Sequence, residues 1–441
     1  GGPVYSLIDE VATTSSITMR RLGHEQSLLH AAEGYAFARN SLAMVVATSG
    51  PGGTNLLTGL ADAWMDHRPV VAIVGQVPRA SIGTKAFQEA NIVAMSSPVC
   101  KLAVEPLTAI DAVSALLLAL ALCREQTAGP CVISVPKDLW KETVPLSSCC
   151  SGPLGQTVLP SSSELPLAEA LDAICTAERP AVIIGQGARY VDIALLRKTL
   201  VHHKIPATST LHALGCVEPS TDIWLGMVGM HGTRRANSAV MNCDVLLALG
   251  ARLDDRVTGD PSTFGGGGKI IHVDIAAEQL ARDVNVTYRL QMSAEDFVSK
   301  WADLPLPKAK IMAERENWLT KLIKNADSGS EPAYEGQASR RNSPHATFDV
   351  LAQYISTDDF VVVDVGQHQM WAAQFLEFSR PGRFLTSGGL GTMGFALPAA
   401  LGVSLAQSEN RRVWCVTGDG GLIMSLQELG LLAELKRPVG V

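Results

Sequence analysis

The sequence predicts an α/β fold in which parallel, doubly wound sheets form three successive domains. Short apolar runs alternate with helical stretches and glycine turns, which is the pattern of a parallel sheet covered by helices on both faces. A chain of 441 residues also exceeds what one hydrophobic core usually supports, so two or three domains are expected. The predicted strands lie at residues 43–48, 70–74, 131–135, 181–185, 245–249 and 270–274.

Two tracts rich in small and polar residues divide the chain. The first, at residues 147–166, contains serine, glycine and proline, and the second, at residues 325–344, is a polar tract. Such tracts are typical of linkers between domains. They predict domains at residues 1–150, 165–310 and 345–441.

Composition excludes several classes of partner. The chain is 47% hydrophobic and carries a formal charge of −7, so no general attraction to nucleic acid is expected. The apolar run at residues 112–123 is too short to span a bilayer and predicts a buried helix instead. The nine cysteines include no Cys-x-x-Cys pair, and Cys149 and Cys150 are interpreted as exposed thiols. A reducing, intracellular compartment is expected.

A glycine-rich motif follows the last predicted strand. Residues 413–417 form an apolar run, and Gly418, Asp419, Gly420 and Gly421 come directly after it. Glycines let backbone amides approach phosphate oxygens, and a carboxylate is a hard ligand suited to Mg²⁺. Taken alone, the motif is also ordinary turn chemistry.

Further segments decide between these two interpretations, because together they resemble one family. The chain is similar to the thiamine-diphosphate enzymes, and most closely to the catalytic subunits of acetohydroxyacid synthase, also called acetolactate synthase. The resemblance implies two thiamine-diphosphate-binding domains, for the pyrimidine and the diphosphate, on either side of a flavin-binding-like domain. The matching segments lie at residues 23–26, 32–36, 49–52, 86–89, 225–232, 250–256, 367–371 and 387–394.

The resemblance assigns the cofactor chemistry to particular residues. Thiamine diphosphate acts as a nucleophile after losing the proton at C2 of its thiazolium, and its own aminopyrimidine is the base. Glu25 matches the carboxylate that hydrogen-bonds the pyrimidine ring, although an isolated glutamate at a helix start is usually solvated. Met393 matches the residue that wedges between the two cofactor rings, although most methionines fill cores. Asp419 matches a ligand of Mg²⁺.

Other positions match contacts to the diphosphate or the pyrimidine. Gln367 and His368 match diphosphate contacts, and a lone histidine at a strand end is otherwise more often structural. The remaining matched positions are Pro51, Asn55, Gly389, Gly391, Gly418, Gly420 and Gly421.

The resemblance places the substrate among Gly2, Phe87, Gln88 and Lys101. Here the chain departs from the family pattern at several positions. The family usually has Asp at position 85 and Arg at position 23, and it follows the matched lysine with His-Asn. The family also has Arg at position 127, as the first residue of a segment Arg-Pro-Gly-Pro. The residues in this chain are Gly23, Lys85, Leu102, Ala103 and Thr127.

A flavin site in the central domain is also implied by the resemblance. Gly185-Gln186-Gly187 after a strand is half of a dinucleotide fingerprint and is weak evidence by itself. The family reaction has no net redox change, so FAD is expected in a structural role. The positions that match FAD contacts are Gly185, Gly187, Thr210, Leu211, Met230, His231, Gly250, Ala251, Arg252, Asp254, Arg256, Asp274 and Ile275.

The resemblance also implies which reaction the protein catalyses. The family decarboxylates pyruvate and joins the hydroxyethyl unit to a second pyruvate or to 2-ketobutyrate, in the biosynthesis of valine, leucine and isoleucine. Its cofactors are thiamine diphosphate, Mg²⁺ and FAD. The alternatives are another thiamine-diphosphate decarboxylase or carboligase, a non-catalytic flavin-binding paralogue, and a nicotinamide dehydrogenase that uses the spacing of Gly389, Gly391 and Gly394.

The family also implies an assembly and a compartment. Its active sites lie between two subunits, so a homodimer or tetramer is expected, with a regulatory small subunit as a further partner. Bacterial relatives are cytoplasmic, and eukaryotic ones work in plastids or mitochondria. Because a second Mg²⁺ ligand of the family falls beyond Val441, we expect the sequence to be a fragment.

Overall fold

The computed structural model describes residues 2–14, 16–125, 127–145, 164–280, 282–327, 343–408 and 411–441. It confirms the α/β fold class, with three sheets in which every strand pair of described register is parallel. The predicted linkers lie largely outside the described residues, and so do Cys149 and Cys150. The seven described cysteines are free.

The first sheet has four strands in the order β1-β2-β4-β3. All seven residues of β2 are buried, as expected for a central strand covered on both faces. The elements are α1 Tyr5–Thr13, α2 Glu25–Arg39, β1 Ala43–Ala47, α3 Pro51–Thr54, α4 Leu57–Met65, β2 Val70–Gln76, α5 Ile92–Ser96, β3 Leu102–Val104, α6 Ala109–Leu122 and β4 Cys131–Pro136.

The apolar run at residues 112–123 forms most of α6, but its burial was predicted wrongly. Ala115 and Ala119 are buried, whereas Ser114 is exposed and Leu118 is 38% exposed. The helix therefore covers β4 with one face only. No helix in the described part of the chain combines the length and the apolar character needed to cross a bilayer.

The central sheet has six strands in the order β10-β9-β8-β5-β6-β7. The chain leaves β5 in one direction through β6 and β7, and it returns beside β5 as β8 before continuing outward. The elements are α7 Glu164–Thr176, β5 Pro180–Ile184, α8 Ile193–His202, β6 Ala207–Ser209, β7 Trp224–Met227, α9 Arg234–Asn242, β8 Val245–Leu249, α10 Asp255–Thr258, β9 Lys269–Asp274, α11 Ala277–Leu280, β10 Tyr288–Gln291, α12 Ala294–Ala302 and α13 Ala309–Asp327. The boundary between β5 and β8 is the topological switch point, where doubly wound folds bind ligands.

The third sheet has four strands in the order β12-β11-β13-β14. Its elements are α14 Pro344–Ala352, β11 Phe360–Val363, α15 Gln367–Phe375, β12 Phe384–Thr386, α16 Ala396–Ala406, β13 Val413–Val416, α17 Asp419–Ser425, α18 Glu428–Leu435 and β14 Val439–Gly440.

Two compact units contain these three sheets. One unit comprises Gly1–Thr157, Asp359–His368 and Leu385–Val441, and the other comprises Val158–Asp358 and Gln369–Phe384. The first and third sheets thus share one unit, and the central sheet forms the other. The three domain boundaries that the sequence predicts stay a prediction.

Within the first unit, α2 and α16 cross with their backbones in close contact. A Cβ atom at Gly34 would lie 2.1 Å from the carbonyl oxygen of Ala399, and one at Gly402 would lie 1.8 Å from that of Ala31. No side chain fits at either position, so two glycines are needed for this crossing. The crossing joins the helix that begins at Glu25 to the helix that follows Met393.

Candidate active site

The carboxyl edge of the first sheet brings three predicted residues together. Glu25 is the first residue of α2, and His24 caps the helix by accepting a hydrogen bond from the amide of Gln26 at 3.1 Å. Pro51 and Asn55 begin and follow α3, which comes directly after β1. Asn55 Nδ2 donates to Glu25 Oε2 at 3.0 Å. The structure thus holds one carboxylate oxygen of Glu25 in place at this edge.

A loop at residues 83–89 lies beside the same edge. Gly50 has φ +61°, and a Cβ atom there would lie 2.9 Å from the carbonyl oxygen of Gln88. Gln88 itself has φ +63°, an unusual conformation for a residue with a side chain. Phe87 is 89% exposed at the tip of the loop. Phe87 and Gln88 therefore neighbour the segment that begins at Gly50 and carries Pro51.

The sequence did not single out the side chain that organises this loop. The Glu89 carboxylate accepts a hydrogen bond from the amide of Ala86 at 3.0 Å and another from the amide of Gly83. These backbone hydrogen bonds, with the one from Gly83 largest, lower the pKa of Glu89. The carboxylate therefore stays ionised at neutral pH and holds the turn that presents Phe87.

Two further substrate candidates lie at opposite edges of the first sheet. Gly2 lies near the carboxyl edge, because the next residue, Pro3, packs on Gly75 near the end of β2. Lys101 directly precedes β3, and its amide donates to Pro130, the residue before β4, at 2.8 Å. Since β3 and β4 are parallel, Lys101 lies at the amino edge.

The Lys101 side chain is also engaged at that edge. Its Nζ donates to Glu125 Oε2 at 3.0 Å and to the carbonyl oxygen of Thr127 at 2.8 Å. Within this chain, the structure therefore does not bring Lys101 together with Phe87 and Gln88.

At the carboxyl edge of the third sheet, His368 lies over two glycines. Its ring is 3.0 Å from where a Cβ atom of Gly418 would lie and 2.8 Å from where one of Gly366 would lie. The buried Nε2 atom has no hydrogen-bond partner among the described residues. Burial lowers the pKa of His368, and the nearby Asp364 carboxylate opposes this shift. When Nε2 carries a ring proton, it can donate a hydrogen bond to a phosphate oxygen.

The glycine motif and Met393 meet at the same edge. A Cβ atom at Gly420 would lie 2.7 Å from Met393 Cε, so the methionine side chain lies directly over that glycine. Asp419 is exposed at the first position of α17, and its Oδ1 accepts a hydrogen bond from the amide of Gly420 at 2.8 Å. Gly418 precedes it at the end of β13. These residues form a small-residue cradle with one hard oxygen ligand, which fits a diphosphate with Mg²⁺.

The other predicted contacts of this edge lie in neighbouring segments. Gln367 is exposed at the start of α15, two residues after the Asp364-Val365 pair that follows β11. Gly389 and Gly391 belong to the loop after β12, and Gly391 has φ +77° with open space at its Cβ position. Gly421 is buried in the first turn of α17. All of them therefore lie at the carboxyl edge of one sheet.

Asp364 joins these segments, and the sequence analysis did not identify it. Its fully buried carboxylate accepts hydrogen bonds from the amides of Gly394 at 2.9 Å and Ala396 at 3.2 Å. Thr417 Oγ1 donates to the same carboxylate at 3.4 Å. A Cβ atom at Gly421 would lie 2.7 Å from its Cγ. The available signal was its place directly after the apolar strand β11, two residues before Gly366.

In the central sheet, glycines crowd the topological switch point. A Cβ atom at Gly185 would lie 2.1 Å from the carbonyl oxygen of Gly250, and the amide of Gly187 donates to that oxygen at 3.0 Å. Gly250 has φ +58°. Thr210 and Leu211 follow β6, Met230 and His231 follow β7, Ala251 follows β8 and Ile275 follows β9. The predicted flavin residues therefore all lie at the carboxyl edge of this sheet.

Polar side chains at this edge are mostly paired with the protein itself. Asp274 Oδ1 accepts a hydrogen bond from the amide of Ala276 at 2.9 Å, and burial raises the pKa of Asp274 to about 6. Arg252 pairs with Asp254 through Nε at 3.0 Å and Nη2 at 2.9 Å. Arg256 is exposed, and its Nη1 lies 3.3 Å from Met230 Sδ. The glycine cradle at the switch point, with a carboxylate at the end of β9, is compatible with a bound dinucleotide.

The structure places four of the five residues that depart from the family pattern as follows. The amide of Gly23 donates to both oxygens of the buried Glu428 carboxylate, at 3.1 and 3.2 Å. Leu102 and Ala103 begin the edge strand β3. Lys85 has φ +61° in the exposed loop held by Glu89.

The comparisons with known proteins agree with this architecture. Three family models match along the chain: the N-terminal domain of thiamine pyrophosphate enzymes at residues 1–95, the central domain at 167–301 and the C-terminal domain at 364–441. Thiamine pyrophosphate is another name for thiamine diphosphate. The models of the two outer domains are described as binding this cofactor.

Curated relatives are similar over nearly the whole chain. The acetolactate synthase large subunit of Lactococcus lactis subsp. lactis is 35% identical, over 98% of this chain and 74% of the relative. The isozyme 2 large subunit of Escherichia coli is 37% identical, over 95% of this chain and 74% of the relative. The large subunit of Corynebacterium glutamicum is 34% identical, over 100% and 70%. The chain therefore belongs to the thiamine pyrophosphate enzymes and, among them, to the family of the acetolactate synthase large subunits.

Proposed function

We propose that the protein is the catalytic subunit of an acetolactate synthase. It removes carbon dioxide from pyruvate and joins the remaining two-carbon unit to a second 2-keto acid, either pyruvate or 2-ketobutyrate. The observation that carries the proposal is Glu25, held at the start of α2 by the hydrogen bond from Asn55 at 3.0 Å. A carboxylate fixed at a sheet edge beside a glycine-rich turn is what activation of this cofactor requires.

Thiamine diphosphate and Mg²⁺ are held by two groups of residues in this proposal. When bound, the cofactor supplies a carbon nucleophile and accepts the electrons that decarboxylation releases. Glu25 hydrogen-bonds the pyrimidine, with Pro51 and Asn55 beside it. His368, Gln367 and the glycines at 389, 391, 418, 420 and 421 bind the diphosphate. Asp419 is an Mg²⁺ ligand, and Met393 supports the rings from the position that it occupies over Gly420.

The substrate occupies the space under the loop at residues 83–89 in this proposal. Phe87 excludes water from the reacting carbons, and Gln88 and the backbone at Gly2 orient the keto acid. Lys101 is a weaker member of this group, because its Nζ is bound by Glu125 and Thr127 at the amino edge.

FAD is proposed to have a structural role at the carboxyl edge of the central sheet. Gly185, Gly187 and Gly250 leave room for a pyrophosphate near the backbone, and Asp274 is placed at a strand end, where a ribose hydroxyl would be bound. The reaction has no net oxidation or reduction, so the flavin contributes stability to the assembly rather than electrons.

We further propose that two copies of the chain assemble, with a regulatory small subunit as an additional partner. The support lies in α17 and α18, where four large apolar side chains are exposed although soluble monomers rarely expose contiguous apolar surface. A second copy of this chain would bury them. They are Ile423, Met424, Leu426 and Leu429, of which Ile423 is 72% exposed. The name "large subunit" of the relatives supports the small subunit.

Product analysis tests the function directly. The full-length protein is incubated with pyruvate, thiamine diphosphate, Mg²⁺ and FAD, and acetolactate is measured for the wild type and for Glu25→Gln. The matched control is Glu434→Gln, which changes an exposed carboxylate on α18. We expect acetolactate from the wild type and the control and a loss of at least about 100-fold in kcat for Glu25→Gln. A folded, cofactor-loaded wild type that forms no acetolactate would overturn the proposal and favour another carboligase or a non-catalytic paralogue.

A further inference from the structure

We propose that Met393 is positioned by two buried carboxylates: Asp62, which acts through the hydroxyl of Ser387, and Asp364. The inference rests on the proposed function, because it assigns positioning residues to the same cofactor site. It adds Asp62 in α4 and Asp364 after β11, which no sequence motif identified, and it gives a role to Ser387, the first residue of the matched segment at residues 387–394.

The backbone before Met393 is held by Ser387. Ser387 Oγ donates to Asp62 Oδ1 at 2.6 Å and accepts hydrogen bonds from the amides of Gly391 at 3.0 Å and Thr392 at 2.8 Å. A hydroxyl has one hydrogen and two lone pairs, so these three bonds use its full capacity. Ser387 thereby closes the turn that ends immediately before Met393.

The backbone after Met393 is held by Asp364. Its Oδ1 accepts a hydrogen bond from the amide of Gly394 at 2.9 Å, and its Oδ2 accepts one from Ala396, the first residue of α16, at 3.2 Å. A carboxylate at the start of a helix also interacts favourably with the helix dipole. The amides on both sides of Met393 are thus bound to buried oxygen atoms.

The Met393 side chain depends on this backbone for its position. It is 42% exposed, so core packing does not fix it. Its Cε lies over Gly420, at the point where a Cβ atom of that residue would be only 2.7 Å away. A small rotation of the turn at residues 391–394 would therefore move the methionine away from the glycine motif.

Asp62 is itself part of a buried polar cluster that joins the loop to two helices. Its Oδ2 lies 3.6 Å from His30 Nδ1, which is 2.9 Å from Glu33 Oε1. At the residue that follows α4, Asp66 Oδ2 accepts a hydrogen bond from the amide of Gly388 at 2.9 Å. Burial raises the pKa of Glu33 and Asp62 and lowers that of His30. A cluster of this kind, removed from water, holds its partners in one arrangement.

The first arm of the test is hydrogen exchange in the cofactor-free, full-length protein. Ser387→Ala removes the acceptor of the Gly391 and Thr392 amides, so we expect these two amides to exchange at least about tenfold faster. Ser404→Ala is the matched control, because Ser404 is equally buried in α16 but donates only to its own helix, at Leu401. Ser387→Thr keeps the hydroxyl and is expected to restore slow exchange.

The second arm is kinetic and uses saturating cofactor. We expect Ser387→Ala to lower kcat by about 10- to 100-fold with little change in the KM for pyruvate, and Ser387→Thr to recover most of it. In a Met393→Ala background, Ser387→Ala is expected to cause little further loss, because its effect passes through the methionine. Thermal melting identifies variants that fail to fold, and Asp62→Ala, which removes the acceptor of the Ser387 hydroxyl, replaces Ser387→Ala in that case.

Two results would overturn the inference. One is unchanged exchange of Gly391 and Thr392 in the alanine variant, and the other is full additivity of the two substitutions in kcat. The exchange arm needs no turnover, so it remains decisive even if the wild type forms no acetolactate and the proposed function fails.

Discussion

The carboxyl edges of the third and the central sheets use polar groups in opposite ways. At the third sheet, His368 Nε2 is buried without a partner among the described residues, and the Asp419 carboxylate is exposed. At the central sheet, Gly187 donates to Gly250 at 3.0 Å, and His272 Nε2 lies 2.8 Å from the carbonyl oxygen of Ala251. The edge of the third sheet therefore leaves polar groups available to bind a ligand. At the edge of the central sheet, the polar groups named here are hydrogen-bonded within the protein.

We therefore expect polar residues at one edge to affect catalysis and polar residues at the other edge to affect stability. In the unit with the central sheet, removal of a buried polar group should unfold the protein at lower temperature without altering the chemistry of the remaining folded molecules. In the unit with the first and third sheets, changes at the strand ends should alter catalysis first.

The largest effect on stability is expected at Arg315, which is fully buried in α13. Its guanidinium donates to the carbonyl oxygens of Ala177 at 3.0 Å and His203 at 2.8 Å, just beyond the ends of α7 and α8. Arg315→Met leaves these carbonyl groups without that donor, so the free energy of unfolding should fall by about 3–5 kcal/mol. Denaturant unfolding measures the loss, with Lys321→Met on the exposed face of α13 as the control. A loss below 1 kcal/mol would contradict this interpretation.

The second prediction concerns the pH dependence of the central unit. Burial lowers the pKa of His272 from 6.5 to about 4, so the folded state favours the neutral ring. The stability that this contributes is present above pH 6.5 and is lost as the pH falls toward 4, by about 3 kcal/mol in total. His272→Gln keeps a donor for Ala251 but does not titrate, so its unfolding free energy should depend less steeply on pH in this range. Equal slopes for both proteins would show that His272 does not titrate this way.

Titration of Asp274 changes the free energy of unfolding in the opposite direction to titration of His272, so the two contributions have to be separated. Burial raises its pKa from 3.8 to about 6, so the folded state favours the protonated carboxyl. Its contribution is present below pH 3.8 and is lost as the pH rises through 6. Comparison of His272→Gln with the His272→Gln, Asp274→Asn double variant separates the two groups.

A smaller stability effect is expected in the other unit, at the crossing of α2 and α16. Gly34→Ala places a methyl group 2.1 Å from the carbonyl oxygen of Ala399, which forces the helices apart. Alanine gains about 1 kcal/mol of helix propensity over glycine. The net loss in unfolding free energy should still be about 2 kcal/mol. Gly430→Ala in α18 is the control, because nothing lies within 4 Å of the new methyl group, and it should stabilise the protein. Equal effects at both positions would contradict the close crossing.

The smallest effect is expected at Glu89, where function changes without stability. Glu89→Gln replaces an acceptor-only carboxylate with an amide, so the amides of Gly83 and Ala86 lose their charged partner. We expect the KM for pyruvate to rise about threefold to tenfold, because Phe87 and Gln88 are less well oriented. The melting temperature should not change. A lower melting temperature with an unchanged KM would show that Glu89 stabilises the fold and does not orient the loop for the substrate.

Much of the fold followed from the sequence, because apolar runs report buried parallel strands directly. The runs at residues 43–48, 70–74 and 245–249 became β1, β2 and β8. The burial of α6 was mispredicted, because an alanine- and leucine-rich run does not reveal which of its faces has a partner. Leu118 is apolar and yet 38% exposed.

Residues of the candidate site could be proposed from the sequence only where a local motif resembled the family. Glu25, Met393 and Asp419 lie in glycine-rich or capping segments, and they were assigned because these segments together resemble the family. Asp62 and Ser387 are separated by 325 residues, and their hydrogen bond forms only when α4 and the loop after β12 meet in the folded protein. Lys101 matched the family by sequence, but the parallel direction of β3 and β4 puts it at the amino edge. Contacts of this kind depend on topology and cannot be read from spacing.

We propose that Glu25 activates thiamine diphosphate bound to this chain. The rate at which the C2 proton of the bound cofactor exchanges with deuterium, followed by magnetic resonance after acid quenching, measures this activation. We expect rapid exchange in the wild type, slowed at least about 100-fold in Glu25→Gln, with a Kd for the cofactor that changes less than about tenfold. Exchange that is equally fast in both proteins would contradict the role of Glu25 and, with it, the proposed catalytic function.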